Sequence, residues 1–237
     1  MCEHYIARSA SPFRLDELWE FTARLEQFGL AGYGWGAAWV DGDGALASYR
    51  DVRAFRDDPG REAVGPIETT SALVHLRRPS RLSTLGLADT QPFDDPRGRF
   101  SFSHNGDLLN YRRYRARYRD QGRLQGRADT EVGARWLEDE WHDGEPVPHL
   151  LGALHDTFGG QANLAVLTAD GGVHHYAGNR ENPVFTFCFG SIGIAGTGLY
   201  SLDRSLFKYA AHGATDRRLV KIRSTISLGP DGAPTVA

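Results

Sequence analysis

The chain has 237 residues, 41% of them hydrophobic, and a formal net charge of -3. That is enough apolar material for a sizeable core, and no basic field argues for nucleic acid. No apolar run approaches the ~20 residues of a membrane-spanning helix, and the start, MCEHYIARSASPF, lacks the layout of a signal peptide. With two cysteines and no leader the expected setting is the reducing cytoplasm, with free thiols.

In chain order, residues 4–8 read as a short strand, and Ser11-Pro12 as the opening of a helix. Leu15, Leu18, Trp19, Thr22, Leu25 and Phe28 recur at helical spacing up to Gly29. GYGWGAAWV and ALASYR form two strands about the turn DGDG. SALVHLRR reads as a buried strand, and GRFSFSHNG as another that turns at Asn105-Gly106. Helices are expected over about Leu108–Tyr118 and from Asp129, as N-cap, to about Trp141. The remainder reads as strands, with Cys188 a small core residue and one short helix in SLDRSLFKYAAHG. No internal repeat or linker interrupts residues 2–237, so one domain is expected.

Residues 112–127 hold seven arginines among tyrosines. Tyr111, Tyr114 and Tyr118 share a helical face, so buried tyrosines and solvated arginines, paired with EDEWHDGE, are favoured over nucleic-acid binding. A docking surface for an acidic partner is the third reading. His174 and His175 are adjacent on a strand and point to opposite faces, which suits no shared metal ion, and no phosphate-binding loop is present. Neither metal nor cofactor is expected.

Cys2 carries a chemical possibility. Removal of Met1 would give it a free α-amine of pKa about 7.7–8.0 beside a thiol of about 8.5, so that one residue supplies nucleophile and base. Asn105 and the backbone of Gly106 offer oxyanion donors, although Asn-Gly alone is more often a hairpin turn. Arg77 suits a carboxylate and Asp129 an ammonium group.

Cys2, GWG at 34–36, HLRRPS at 75–80, DTQPF at 89–93, SHNGDLLN at 103–110 and ADTEV at 128–132 occur in order. Over about residues 2–140 this set resembles the glutaminase domain of the class II glutamine amidotransferases, and IGIAGTGLYSLDRSLF weakly resembles its later part. The resemblance implies an α+β fold, the four-layer α/β/β/α sandwich of the N-terminal-nucleophile hydrolases. It implies that Cys2 forms a γ-glutamyl thioester and that Asn105 and Gly106 form the oxyanion hole. Arg77, with Ser80 nearby, would hold the substrate α-carboxylate, and Asp129, with the Gly106 carbonyl region, its α-ammonium. His75 and His104 are taken as structural. Arg78-Pro79, Gln91 and Tyr33 depart from the family pattern and bear on the pocket wall.

The reaction expected is hydrolysis of the γ-amide of glutamine. Without an acceptor domain in the chain, the ammonia would pass to a separate synthase subunit. The alternative is a stand-alone amidohydrolase acting on a γ-glutamyl small molecule or peptide. A third reading is an inactive interaction module, against which the intact residue set weighs.

Overall fold

The computed structural model describes residues 2–142, 144–199 and 205–237. Two antiparallel sheets face each other. The first, in the order β11-β9-β10-β1-β4-β2-β3, uses β1 (Glu3–Arg14), β2 (Trp35–Val40), β3 (Leu46–Asp51), β4 (Glu68–Leu76), β9 (Val184–Phe189), β10 (Ile192–Thr197) and β11 (Thr215–Leu219). The second, β13-β12-β8-β7-β6-β5, uses β5 (Phe93–Asp94), β6 (Phe100–Leu108), β7 (Gly160–Thr168), β8 (Val173–Ala177), β12 (Ser224–Leu228) and β13 (Pro234–Val236).

Strand alternation decides what each face buries. On the outer face of the first sheet, Tyr5, Ala7, Val74 and Leu76 pack under α1 (Trp19–Phe28), α2 (Gly60–Val64) and α6 (Leu206–Ala210). On the outer face of the second, Phe100, Phe102, Leu164 and Val166 pack under α3 (Arg112–Asp120), α4 (Asp129–Glu140) and α5 (Val147–Phe158). Between the sheets Ile6, Leu73, Ala165, Leu167 and Ile226 form a third apolar cluster. The layer order is helix, sheet, sheet, helix, as the resemblance implied.

The structure corrects several local expectations. Ser11-Pro12 does not open a helix: β1 runs on to Arg14, and a 3-10 turn at Leu15–Leu18 leads into α1. The cap there is Glu17, whose carboxylate accepts the Arg14 N–H at 2.8 Å. Asn105-Gly106 is no turn, because β6 continues through both to Leu108, paired with Asn163 and Ala162 of β7. Asp129 is the first helical residue of α4 and Ala128 its cap. The helix expected from Leu108 begins at Arg112. Helix α5 was not expected at all. Its Leu150, Leu151, Leu154 and Phe158 recur at helical spacing, but Pro146 and Pro148 break the sequence pattern that announces it. Cys188 is half-buried rather than a core residue. Ser201–Arg204, in the expected late helix, lie outside the described residues, as does Met1.

The arginine-rich segment is bound into the fold. Tyr118 is fully buried, with Tyr111 and Tyr114 packed partly on the same cluster. Arg123 pairs with Glu138 at 2.8 Å and Asp139 at 2.7 Å, and Arg117 with Asp139 at 3.2 Å. This is the pairing with the acidic stretch expected from the sequence. Among the described residues, no helix is long and apolar enough to cross a membrane.

Candidate active site

Strand β1 lies in the middle of its sheet, hydrogen-bonded to β10 on one side and β4 on the other. Cys2 directly precedes it. The register pairs Glu3 with Leu76, so Cys2 meets the end of β4 where Arg77 and Arg78 follow. The Arg78 N–H donates to Cys2 Sγ at 3.2 Å, and the thiol donates to the Arg78 carbonyl at 3.3 Å. Burial pushes the thiol up to about 11, against the opposing pull of the Arg78 N–H and the charge of Arg77. Cys2 at rest is therefore a thiol, not a thiolate, at neutral pH. Among the described residues no side chain hydrogen-bonds its sulfur.

The opposite sheet reaches Cys2 through Asn105, fully buried on β6, whose side-chain N–H donates to the Cys2 carbonyl. Three further asparagines hold Asn105 in place. Asn163 Nδ2 donates to Asn105 Oδ1 at 3.3 Å and to the Asn182 carbonyl at 2.7 Å. Asn179 donates to the same Asn105 oxygen at 3.5 Å, and Asn182 to the Cys2 carbonyl at 3.4 Å. All four are fully buried, where an unpaired amide would cost about 1–3 kcal/mol. Sequence reading missed Asn163, Asn179 and Asn182. The one available signal was the pair of asparagines in AGNREN, which resembles an ordinary loop.

Gly106 follows at φ +134, a conformation that side chains rarely adopt. A Cβ there would lie 1.6 Å from the Gln161 carbonyl oxygen on the neighbouring strand, which cannot move aside cheaply. Gly106→Ala is therefore expected to lower stability by about 3 kcal/mol or more. Urea unfolding monitored by tryptophan fluorescence checks this, and an unshifted midpoint would contradict it.

Cys2, Arg77, Ser80, Gly106 and Asp129 line a single cavity of about 520 Å³. Asn105 lies beneath its floor. Arg77 is buried, donates to the Thr84 carbonyl, and leaves Nη1 without a hydrogen-bond partner. Its pKa is lowered by burial, a sign that the guanidinium lacks a full complement of counter-charge. Asp129 accepts the Leu108 N–H at 2.8 Å and the Thr130 N–H at 3.0 Å, which fixes the carboxylate where α4 starts. Ser80 is exposed on the wall. Gln91 accepts the His104 N–H at 2.6 Å and packs the wall behind.

His104 lines the same cavity, whereas His4 and His75 do not. His4 and His75 each hydrogen-bond the Ser103 hydroxyl through Nδ1 at 2.8 Å, and His104 meets Thr130 at 3.1 Å. Among the described residues no group of three or more His, Cys, Asp or Glu side chains is placed to hold a metal ion.

Residues 80–167 match a family model described as a glutamine amidotransferase domain. Over those residues the chain is similar to glutamine amidotransferase domains. Its fold is similar to glutamine phosphoribosylpyrophosphate amidotransferase from B. subtilis, with a TM-score of 0.77 at 16% identity over 100% of this chain and 49% of that one. A structure described as the allosteric regulatory enzyme of purine biosynthesis gives the same score and identity, over 100% of this chain and 48% of that one. The domain thus spans about half the length of both. A glutamine aminotransferase class-II domain protein from Silicibacter pomeroyi matches at TM-score 0.64 and 15% identity, covering 99% of this chain and 98% of that one. No curated protein matches the sequence. At these identities the structural likeness concerns the fold alone, an α+β arrangement of two antiparallel sheets flanked by helices.

Proposed function

We propose that this domain hydrolyses the γ-amide of glutamine, or of a γ-glutamyl compound, through a thioester on Cys2. The observation that carries the reading is the gathering of a thiol, a buried arginine with an unpartnered N–H and a fixed carboxylate in one cavity, with Asn105 buried behind it and bonded to the Cys2 carbonyl.

In this reading Met1 is removed and the Cys2 α-amine becomes the base. Because the thiol is held protonated, its proton moves to the amine as sulfur attacks the γ-carbonyl carbon. The oxyanion that forms is met by the Gly106 N–H and by Asn105. An amide nitrogen carries two hydrogens, so Asn105 can keep its bond to the Cys2 carbonyl and donate the second to the oxyanion. The C–N bond breaks, the leaving nitrogen takes the proton from the α-amine, and a thioester remains. Water, deprotonated by the same amine, attacks the thioester carbon, and the thiol and glutamate are released.

Arg77 holds the substrate α-carboxylate with Ser80 beside it, and Asp129 with the Gly106 carbonyl region holds the α-ammonium. A carboxylate arriving at Arg77 supplies the partner its Nη1 lacks. The leaving group has two versions. Similarity to glutamine amidotransferases favours ammonia passed to a synthase. A stand-alone γ-glutamyl amidohydrolase uses the same residues and a larger amine. A cytoplasmic, reducing setting keeps Cys2 and Cys188, both free thiols here, unoxidised.

Glutamate release from L-glutamine by the purified protein tests the reading, together with Arg77→Lys. Lysine loses the two-pronged contact, so KM is expected to rise about tenfold or more with a smaller change in kcat. An unchanged KM would mean that the α-carboxylate is held elsewhere.

A further inference from the structure

The cavity carries more positive charge than a glutamyl group needs. Its lining holds six arginines, of which Arg77 alone is assigned to the α-carboxylate, against three aspartates. Two of the acids are committed, since Asp129 accepts two backbone N–H groups and Asp89 accepts those of Arg127 and Ala128, which leaves Asp107, exposed at the opening, as the one free carboxylate of the lining among the described residues. The guanidiniums are less so. Arg115 is tied to the carbonyls of Gly126 and Arg127 at 2.7 and 3.0 Å. Arg119 meets only Asp120, at 3.5 Å with both side chains more than 70% exposed, a pair worth little. Arg78, Arg81 and Arg127 stand exposed around the opening, and their guanidiniums have no acidic partner among the described residues. Arg78 is also the residue whose backbone brackets the Cys2 sulfur, so positive charge begins beside the nucleophile.

Unpaired guanidiniums around a cleft concentrate field into it and favour an anion there. The volume of about 520 Å³ suits a ligand larger than a single amino acid, within the roughly 300–1,000 Å³ of small-molecule sites. Resting on the γ-amide reading above, we infer that the substrate is a γ-glutamyl amide whose leaving amine itself bears a carboxylate or phosphate. Arg77 and Asp129 hold the glutamyl end, and Arg78, Arg81 and Arg127 hold the anion on the amine. The reaction remains a hydrolysis: one water is consumed, the γ-C–N bond breaks, and glutamate and the free anionic amine are released.

The test compares kcat/KM for γ-glutamyl-aspartate, the γ-glutamyl amide of O-phosphoethanolamine, and γ-glutamyl-glycinamide, which is neutral on the amine side, with L-glutamine as reference. At least one anionic amide is expected to exceed the neutral one about tenfold or more, and the leading arm tells carboxylate from phosphate. That ratio should shrink as ionic strength rises from about 0.01 M to about 1 M, where the Debye length falls from about 30 to about 3 Å. It should also approach one in the Arg81→Gln/Arg127→Gln double variant. Equal turnover of all three amides would overturn the inference and leave the γ-amide reading standing. No glutamate from any amide or from glutamine would overturn both.

Discussion

Cys2→Ala is expected to abolish turnover while the domain stays folded. The sulfur hydrogen-bonds the Arg78 backbone, and its removal leaves the Asn105 and Asn182 bonds to the residue-2 carbonyl in place. Stability should therefore change by no more than the about 1 kcal/mol typical of a small truncation. Catalysis should fall to background, since among the described residues Cys2 is the one thiol that lines the cavity. Cys2→Ser sharpens the argument. It keeps the shape and the amine but raises the nucleophile pKa far above that of a thiol, so activity should fall by orders of magnitude. Glutamate release, measured beside the thermal midpoint of each variant, checks both. Retained turnover in Cys2→Ala would remove the thioester from the account.

The second large effect is acid unfolding. Four histidines between or along the sheets are held neutral chiefly by burial: His174 is lowered to about 4 and His175 to about 3, and His4 and His75 lie well below the usual imidazole value. The rings of His4 and His175 are 4.6 Å apart, so charging one opposes charging the other. In the unfolded chain each histidine binds a proton near pH 6.5. The folded state cannot follow until its lower pKa is reached, so stability is full above about pH 7 and lost as pH falls. His174 and His175 each cost about 2 kcal/mol by pH 5, and His4 and His75 add to the loss in the same direction. His104 is lowered too and acts in the same direction. That loss is comparable with the whole stability of a typical domain, about 5–15 kcal/mol. Cooperative unfolding is therefore expected between about pH 6 and pH 4.5, followed by circular dichroism and tryptophan fluorescence. A native spectrum at pH 4 would show that the cluster charges without penalty.

The layer order came from the resemblance, because alternation such as Phe100-Ser101-Phe102-Ser103 announces a strand with two different faces but does not choose between one sheet and two. The residues that gather around Cys2 were also legible as an ordered set, although they come from β6, the end of β4 and the start of α4. Local signals misled where tertiary context overrode them. Ser11-Pro12 has the form of a helix opening, yet β1 needs those residues to finish pairing with β4 at Phe13 and Arg14. Asn105-Gly106 has the form of a hairpin turn, yet both stay in the ladder because Gly106 tolerates a positive φ where the strands approach closely. The three asparagines behind Asn105 gave little warning beyond the pair in AGNREN, since their roles depend on contacts across as many as 180 residues of chain.

The same long-range contacts explain why the candidate site is rigid at its base. Asn105 is braced by side chains from β7 and from the loop before β9, so its amide is oriented before any substrate arrives. Such advance orientation is what an oxyanion donor requires. The rim is different in kind, built from exposed arginines on the segment after β4, on α3 and before α4. Chemistry would be fixed by the floor, and choice of substrate by the rim.

Intact mass before and after treatment with 6-diazo-5-oxonorleucine, a glutamine-like electrophile, tests the central claim most directly. The account predicts a chain lacking Met1 that gains one adduct, mapped to Cys2 and absent from Cys2→Ala. A chain that retains Met1 and gains no adduct would contradict it.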